Sequence, residues 1–257
     1  MDYLSLNKSA WDKRTKVHVK SAFYDVDAFK KGKCSLNPVE LEQVGDVEGK
    51  TLLHLQCHFG QDTLSWARLG ADVTGVDLSA DAIAEANLLK QSLGLRATFI
   101  EGDVVRFGAE NRQQFDIVFT SYGVLSWLPD LAGWAATISA ALKHGGEFHL
   151  VEFHPFNELL SGYSYFSTGE PDIEEEGTYT ENCDGATSTT VTWSHSISDV
   201  LSALIDAGLS VESFTEYPYS PYNCFEGLDF VPGQGCQMLH KGNQVPLLYA
   251  IKARKTA

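Results

Sequence analysis

The chain has 257 residues and a formal net charge of −15, from 34 acidic against 19 basic side chains. Such a field repels phosphate backbones, so nucleic acid is not an expected partner. No apolar run approaches the ~20 residues of a membrane helix. Met1 to Lys20 is too polar for a signal peptide, and the five cysteines form no C-x-x-C pair. The expectation is a cytoplasmic protein with reduced thiols, without membrane or metal site.

Residues 51 to 153 alternate short apolar runs with amphipathic stretches. Thr51 to Gln56 reads as a buried strand, Gly60 to Leu69 as a helix, and Asp72 to Asp77 as a second strand. Ser79 caps a helix whose Ala82, Ala86, Leu89 and Leu93 share one face, with Gly94 as its left-handed stop. Strands follow at Ala97 to Ile100, Phe115 to Thr120 and Glu147 to Phe153. A helix from about Asp130 to Leu142, closed by Gly145-Gly146, lies before the last of these. This alternation implies parallel crossovers and an α/β, doubly wound open sheet.

After Phe153 the texture changes. Residues 154 to 194 are rich in Ser, Thr, Gly, Tyr and acids, and read as an insertion, a hairpin or lid. Asp172 to Glu176 reads as a solvated loop. Helical pattern returns from Ser198 to Ala207, then strands at Leu209 to Glu216 and Pro246 to Lys252, with an aromatic segment, Tyr217 to Phe230, between them.

In an open parallel sheet, ligands settle beyond the carboxyl ends of the strands. The turn His54-Leu55-Gln56-Cys57-His58-Phe59-Gly60 would bring backbone N–H groups and a helix amino terminus to a ligand, with Gly60 permitting the tight turn. Asp77 ends the second strand, where a carboxylate suits ribose hydroxyls. Asp103 ends the third, suited to an adenine amino group, with Leu78 and Val104 flanking the ring. Three such features in register point to an adenosine-bearing cofactor.

The segment "LHLQCHFGQDTLSWARLGADVTGVDLS" (53–79) resembles the first two motifs of class I S-adenosylmethionine-dependent methyltransferases. Asp103, the strand from Phe115 and "LKHGGEF" (142–148) resemble the later motifs. The resemblance implies a Rossmann-like seven-stranded sheet, mostly parallel with an antiparallel last strand and helices on both faces. It further implies one methyltransferase domain over 1–257, with a helical lid over 1–45 that includes His18 and Tyr24. S-adenosyl-L-methionine would be the cofactor, S-adenosyl-L-homocysteine the product, and a small molecule methylated on O or N the acceptor. A monomer or homodimer is expected.

One departure stands out. Gln56 and His58 occupy two positions where the family carries glycine. For His58 two readings stand side by side, a ring that shapes the methionine pocket and a satisfied loop histidine. A dinucleotide fold needs those glycines for its pyrophosphate, whereas S-adenosylmethionine has no phosphate. The glycine-poor turn also supports an alternative, a non-catalytic cofactor-binding or interaction domain of the same fold.

On the acceptor side the resemblance places Thr120 and Ser121 against the methionine moiety, through backbone, and Tyr122 toward the methyl path. Strand alternation puts Glu152 and His154 on one face, beyond which an acceptor pocket would open. His154 is the candidate general base and Glu152 its orienting partner. Trp127 either lines the methyl path or, the stronger reading, packs between helix and sheet, while Trp11, Phe23, Tyr219, Tyr222 and Phe225 are candidates for aromatic walls.

Overall fold

The structure, a computed structural model, describes residues 1–223 and 225–256. Cys224, one of the thiols expected to be reduced, lies outside the described residues. The chain opens with three helices, α1 (Tyr3–His18), α2 (Val26–Lys30) and α3 (Pro38–Val44). The α/β alternation follows as β1 (Thr51–Leu55), α4 (Gln61–Arg68), β2 (Asp72–Asp77), α5 (Ala80–Leu93), β3 (Thr98–Glu101), α6 (Val104–Glu110), β4 (Phe115–Ser121), α7 (Leu131–Ala141) and β5 (Leu142–Phe153). Then come α8 (Phe156–Leu160), the hairpin of β6 (Asp172–Glu176) and β7 (Ser188–Thr192), α9 (Ile197–Asp206) and β8 (Leu209–Tyr217). Two short hairpins, β9 (Asp229–Val231) with β10 (Gly235–Gln237) and β11 (Leu239–His240) with β12 (Asn243–Gln244), lead to β13 (Leu248–Lys255).

Among the described residues, seven strands form the main sheet in the order β3-β2-β1-β4-β5-β13-β8. The pairs from β3 to β5 are parallel, and β13 runs antiparallel between β5 and β8. The central strands are buried on both faces, as their continuous apolar runs require. Leu53, Leu55, Val118, Phe148 and Leu150 meet Trp134 and Ile138 of α7 and Val200 and Leu204 of α9 on one side. Leu52, Val73, Ile117 and Phe119 pack with Trp66 of α4 and with Val44 and Val47 on the other.

Local signals account for the boundaries. The Ser79 hydroxyl accepts from the Ala82 N–H and Gly94 takes the left-handed stop, so α5 begins and ends as its sequence dictates. Three expectations are corrected. Gly145 and Gly146 do not close α7; they fall inside β5, near a register irregularity with β4. A helix the sequence pattern does not announce, α6, starts at Asp103, whose carboxylate accepts from the Arg106 N–H. The acidic run Asp172–Glu176 is no solvated loop but β6, paired along its length with the Thr-rich β7.

Candidate functional site

Strand β1 has β2 on one side and β4 on the other, so the strand order reverses there. A crevice beyond the carboxyl ends of the strands at such a point is where ligands bind in this architecture. A cavity of about 820 Å³ opens at that place, lined from the turns after β1, β2, β3 and β4 and roofed by the amino-terminal segment and the β6–β7 hairpin. That volume lies in the upper part of the range of small-molecule sites.

The turn after β1 is left-handed at three alternate positions, Gln56 (φ 57°), His58 (φ 50°) and Gly60 (φ 80°). The two that carry side chains are strained by roughly 1–3 kcal/mol each, so the surroundings must hold them there. Cys57 N–H donates to the Val76 carbonyl at 3.0 Å and Gly60 N–H to the Cys57 carbonyl at 3.0 Å. His58 N–H donates to Asp77 Oδ2 at 2.7 Å, and Gln56 Nε2 to the Val124 carbonyl at 2.8 Å. The Gln56 side chain therefore ties the β1 turn to the β4 turn. Gly60 is required for a different reason than close ligand approach: a Cβ there would stand 2.6 Å from the Phe99 ring.

Asp77 accepts from His58 N–H on one oxygen and from Ser79 N–H, at 2.9 Å, on the other. Burial pushes its carboxyl up to about 6, against the pull of those N–H groups. It is thus ionised at neutral pH, with lone pairs left for a diol. Cys57, Gly60, Leu78, Asp103, Val104, Ser121 and Tyr24 line the same cavity with Gln56, His58 and Asp77. Two candidate cofactor contacts do not. Thr120 is fully buried, its hydroxyl donating to the Leu55 carbonyl at 3.0 Å. His18 sits behind the wall, its Nδ1 2.9 Å from His58 Nε2 and its Nε2 bonded to the Thr178 hydroxyl. Burial holds His18 down at about 3 and His58 well below its usual range, so both rings are neutral.

The acceptor-side expectation needs correction. The Glu152 carboxylate is buried and accepts from the N–H groups of Gly123, Val124 (2.9 Å), Leu125 (3.3 Å) and Phe153 (2.7 Å). It pins the β4 turn and does not orient a base. His154 does not line the cavity either: its Nε2 lies 2.9 Å from Glu216 of β8, and its Nδ1 accepts from Phe156 N–H at 3.1 Å. The antiparallel β13–β8 layer draws the ring away, so neither nitrogen is open to an acceptor proton. Tyr122 does line the cavity, with φ 51° and its N–H donating to the Val151 carbonyl at 2.8 Å.

The roof is aromatic and acidic. Trp127, expected to pack in the interior, faces the cavity with Trp11 at 5.2 Å between ring centroids, and Arg14 lies over both rings. Arg14 in turn donates to Glu176 at 2.6 Å and to the Gly177 carbonyl at 3.1 Å, fastening the hairpin to α1. Asn7 and Val191 exchange two hydrogen bonds at 2.8 and 2.9 Å along the same seam. Phe23, Tyr179, Tyr222 and Phe225 complete the aromatic wall, and Glu158 and Glu176 stand on its acidic side. Tyr219, a candidate wall residue, instead packs with Tyr217 and Tyr122 against Val39, Val151 and Ala250. Arg14, Asn37 and Glu158 escaped the sequence reading, and contacts across more than 100 residues bring the first two to the site.

A methyltransferase domain model matches residues 53–148. A ubiquinone biosynthesis O-methyltransferase of Vibrio vulnificus is 29% identical over 166 residues, covering 62% of this chain and 69% of that protein. The protein of the same name from Xanthomonas euvesicatoria is 32% identical over 131 residues, 50% of this chain and 54% of that one. Among solved structures, an S-adenosylmethionine-dependent methyltransferase from Clostridium acetobutylicum shares the fold with a TM-score of 0.61 at 15% identity, over 96% of this chain and 99% of that one. A glycopeptide N-methyltransferase complexed with sinefungin gives 0.56 at 17% identity, over 84% and 83%. The strand order and these neighbours give the chain the fold of the S-adenosylmethionine-dependent methyltransferases, with a methyltransferase domain matched over its central α/β part and a cavity at the β1–β4 reversal.

Proposed function

We propose that the chain methylates an oxygen or nitrogen of a small molecule that enters between the roof and the sheet edge. The observation that carries this is one continuous cavity with a cofactor floor and an aromatic, acidic outer wall. S-adenosylmethionine, when bound, supplies a methyl group on a sulfonium with a neutral thioether as leaving group. The rest of the work is positioning and exclusion of water.

On this reading Asp77 holds the ribose hydroxyls, Asp103 faces the adenine edge, and Leu78 and Val104 flank the ring. Gln56, Cys57, His58 and Ser121 enclose the methionine end. The residues present suit this cofactor better than a dinucleotide. The turn after β1 carries side chains where a diphosphate needs bare backbone, and the cavity cations Arg14 and Lys33 are already paired with Glu176 and Asp25. Segments 1–45 and 154–194 act as a lid on a single domain. The names of the relatives support O-methylation and that of one fold neighbour N-methylation. The carboxylates on the outer wall favour a neutral or cationic acceptor over an anionic one.

The test has two steps. Calorimetry with S-adenosylhomocysteine is expected to show a single site of micromolar affinity, and absence of binding would sink the proposal. Chromatography of S-adenosylhomocysteine formed with phenol, catechol or tyramine then separates O from N acceptors and distinguishes an enzyme from a non-catalytic binder.

A further inference from the structure

We infer that Glu40, acting through the Tyr122 phenol, takes the proton that the acceptor loses. The inference rests on the methyl-transfer reading above and supplies the base that His154 cannot be. Asn37 and Glu40 cap α3: Asn37 N–H donates to Glu40 Oε2 at 3.1 Å and Asn37 Nδ2 to Oε1 at 3.2 Å.

A capping glutamate is ordinarily wet. Glu40 is 0% exposed, and Asn37 Nδ2 joins it to the Tyr122 hydroxyl, 3.2 Å from Glu40 Oε1 and 3.5 Å from the phenol oxygen. The phenol is close enough to pull the Glu40 carboxyl down. Tyr122 stands on the cavity wall beside the strand-order reversal, held in a left-handed conformation by its own N–H to Val151 and by the Glu152 clamp on the next residues. Strain of this kind persists where the surroundings enforce it, and it aims the phenol between the Phe153 and Tyr222 rings, at 5.5 and 5.1 Å. Asn37 Nδ2 braces the arrangement from the side, 2.9 Å from the Tyr222 hydroxyl and 3.5 Å from that of Tyr122.

The other carboxylates of the cavity are less suited. Burial raises the Asp62 carboxyl too, against the pull of the Ser35 hydroxyl, but Asp62 shares no hydrogen-bonding bridge with Tyr122 of the kind Asn37 gives Glu40. Glu158 is exposed at the mouth. Burial pushes the Glu40 carboxyl up to about 7, with Asp62 adding to that push and Tyr122 and Asn37 opposing it. Asp62, Tyr122, Tyr219 and Tyr222 are the titratable groups that face it, from α4, the β4 turn and the segment after β8. A base with this affinity is half free near neutrality and accepts a proton without a large energetic step.

The balance is simple. The acceptor's lone pair forms the new bond to carbon, and the pair of the broken carbon–sulfur bond stays on sulfur. The acceptor proton passes to the Tyr122 oxygen as the phenol's own proton passes to Glu40, which ends neutral.

The experiment compares wild type, Glu40→Gln and Tyr122→Phe, all loaded with S-adenosylhomocysteine. Unchanged affinity for that product, within about threefold, shows an intact cofactor site. Its absence in wild type would instead overturn the methyl-transfer reading itself. Infrared difference spectra between pH 5.5 and 8.5 are expected to show a protonated carboxyl band lost on going up through pH ~7. The band should be absent from Glu40→Gln and displaced in Tyr122→Phe. With the acceptor that responds among phenol, catechol and tyramine, either variant should lower kcat by about 10²–10⁴ at nearly constant KM and abolish the rise of kcat through neutral pH. A wild-type minus Glu40→Gln difference in which no carboxyl band titrates near pH 7 (the Asp77 carboxyl, common to both, cancels), an undisplaced band in Tyr122→Phe, or full kcat in either variant would overturn the inference.

Discussion

The floor and the roof of the cavity are built on different principles. The floor stands on the sheet: the turns after β1 and β4 are fixed by main-chain bonds such as Cys57 N–H to Val76 and Tyr122 N–H to Val151, and by the side chains of Gln56, Asp77 and Glu152 bonded to backbone, over strands buried on both faces. The roof is latched by side chains. Arg14 holds Glu176, Glu181 takes the N–H groups of Ala22 and Phe23, and Asn182 reaches the Val17 carbonyl, several of them open to solvent. Opening the roof parts one buried seam, of Asn7, Ala10, Val191 and Trp193, besides such contacts, whereas moving the floor disrupts the central sheet. Elements with few buried contacts occupy the low end of local stability, which suits the half that admits and releases substrate.

The largest expected effect sharpens this contrast. Asp77→Ala should weaken S-adenosylhomocysteine by 100-fold or more in calorimetry, because it removes the ribose partner and strands the His58 and Ser79 N–H groups. Trp11→Ala, in the roof, should leave that affinity within threefold while raising acceptor KM. Equal losses of cofactor affinity in the two variants would break the division between floor and roof. Next in size, Glu152→Ala leaves four backbone N–H groups without their acceptor. A cost of about 3 kcal/mol follows, and about 6–12 °C in Tm by calorimetric scanning; an unchanged Tm would deny Glu152 its clamping role. The smallest effect is expected of His154→Ala, whose kcat should stay within twofold from pH 6 to 9. A tenfold loss would restore that histidine to the chemistry.

Much of the floor was legible in the sequence, for reasons local to each element. β2 has the bounds its pattern implies, and Ser79 and Gly94 delimit α5 through their own caps. The register of Asp77 and Asp103 at consecutive strand ends was readable because parallel strands with short turns deliver such residues to one edge. The rest depended on pairing at a distance. His154 and Glu152 alternate correctly along β5, but only the β8 neighbour Glu216 and the β4 turn decide where their side chains spend their hydrogen bonds. Glu40 carried no signal in the sequence, since nothing near it told of the phenol 82 positions on. Gly60 was assigned to ligand approach, while the atom that forbids a side chain there belongs to Phe99.

The line from Thr178 through His18 to His58 has a consequence of its own. Each neutral ring carries one proton, so the line has two directions. If the threonine hydroxyl gives its hydrogen to His18, the polarity passes inward and His58 Nδ1 ends as a donor; if it receives, the same atom ends as an acceptor. That nitrogen is buried with no partner among the described residues. Turning the Thr178 hydroxyl is therefore coupled to a change of tautomer in both rings. His18 gains a proton at Nε2 and passes one to His58, while His58 gives up the proton on Nδ1. The sign of that polar atom in the β1 turn changes without any backbone displacement.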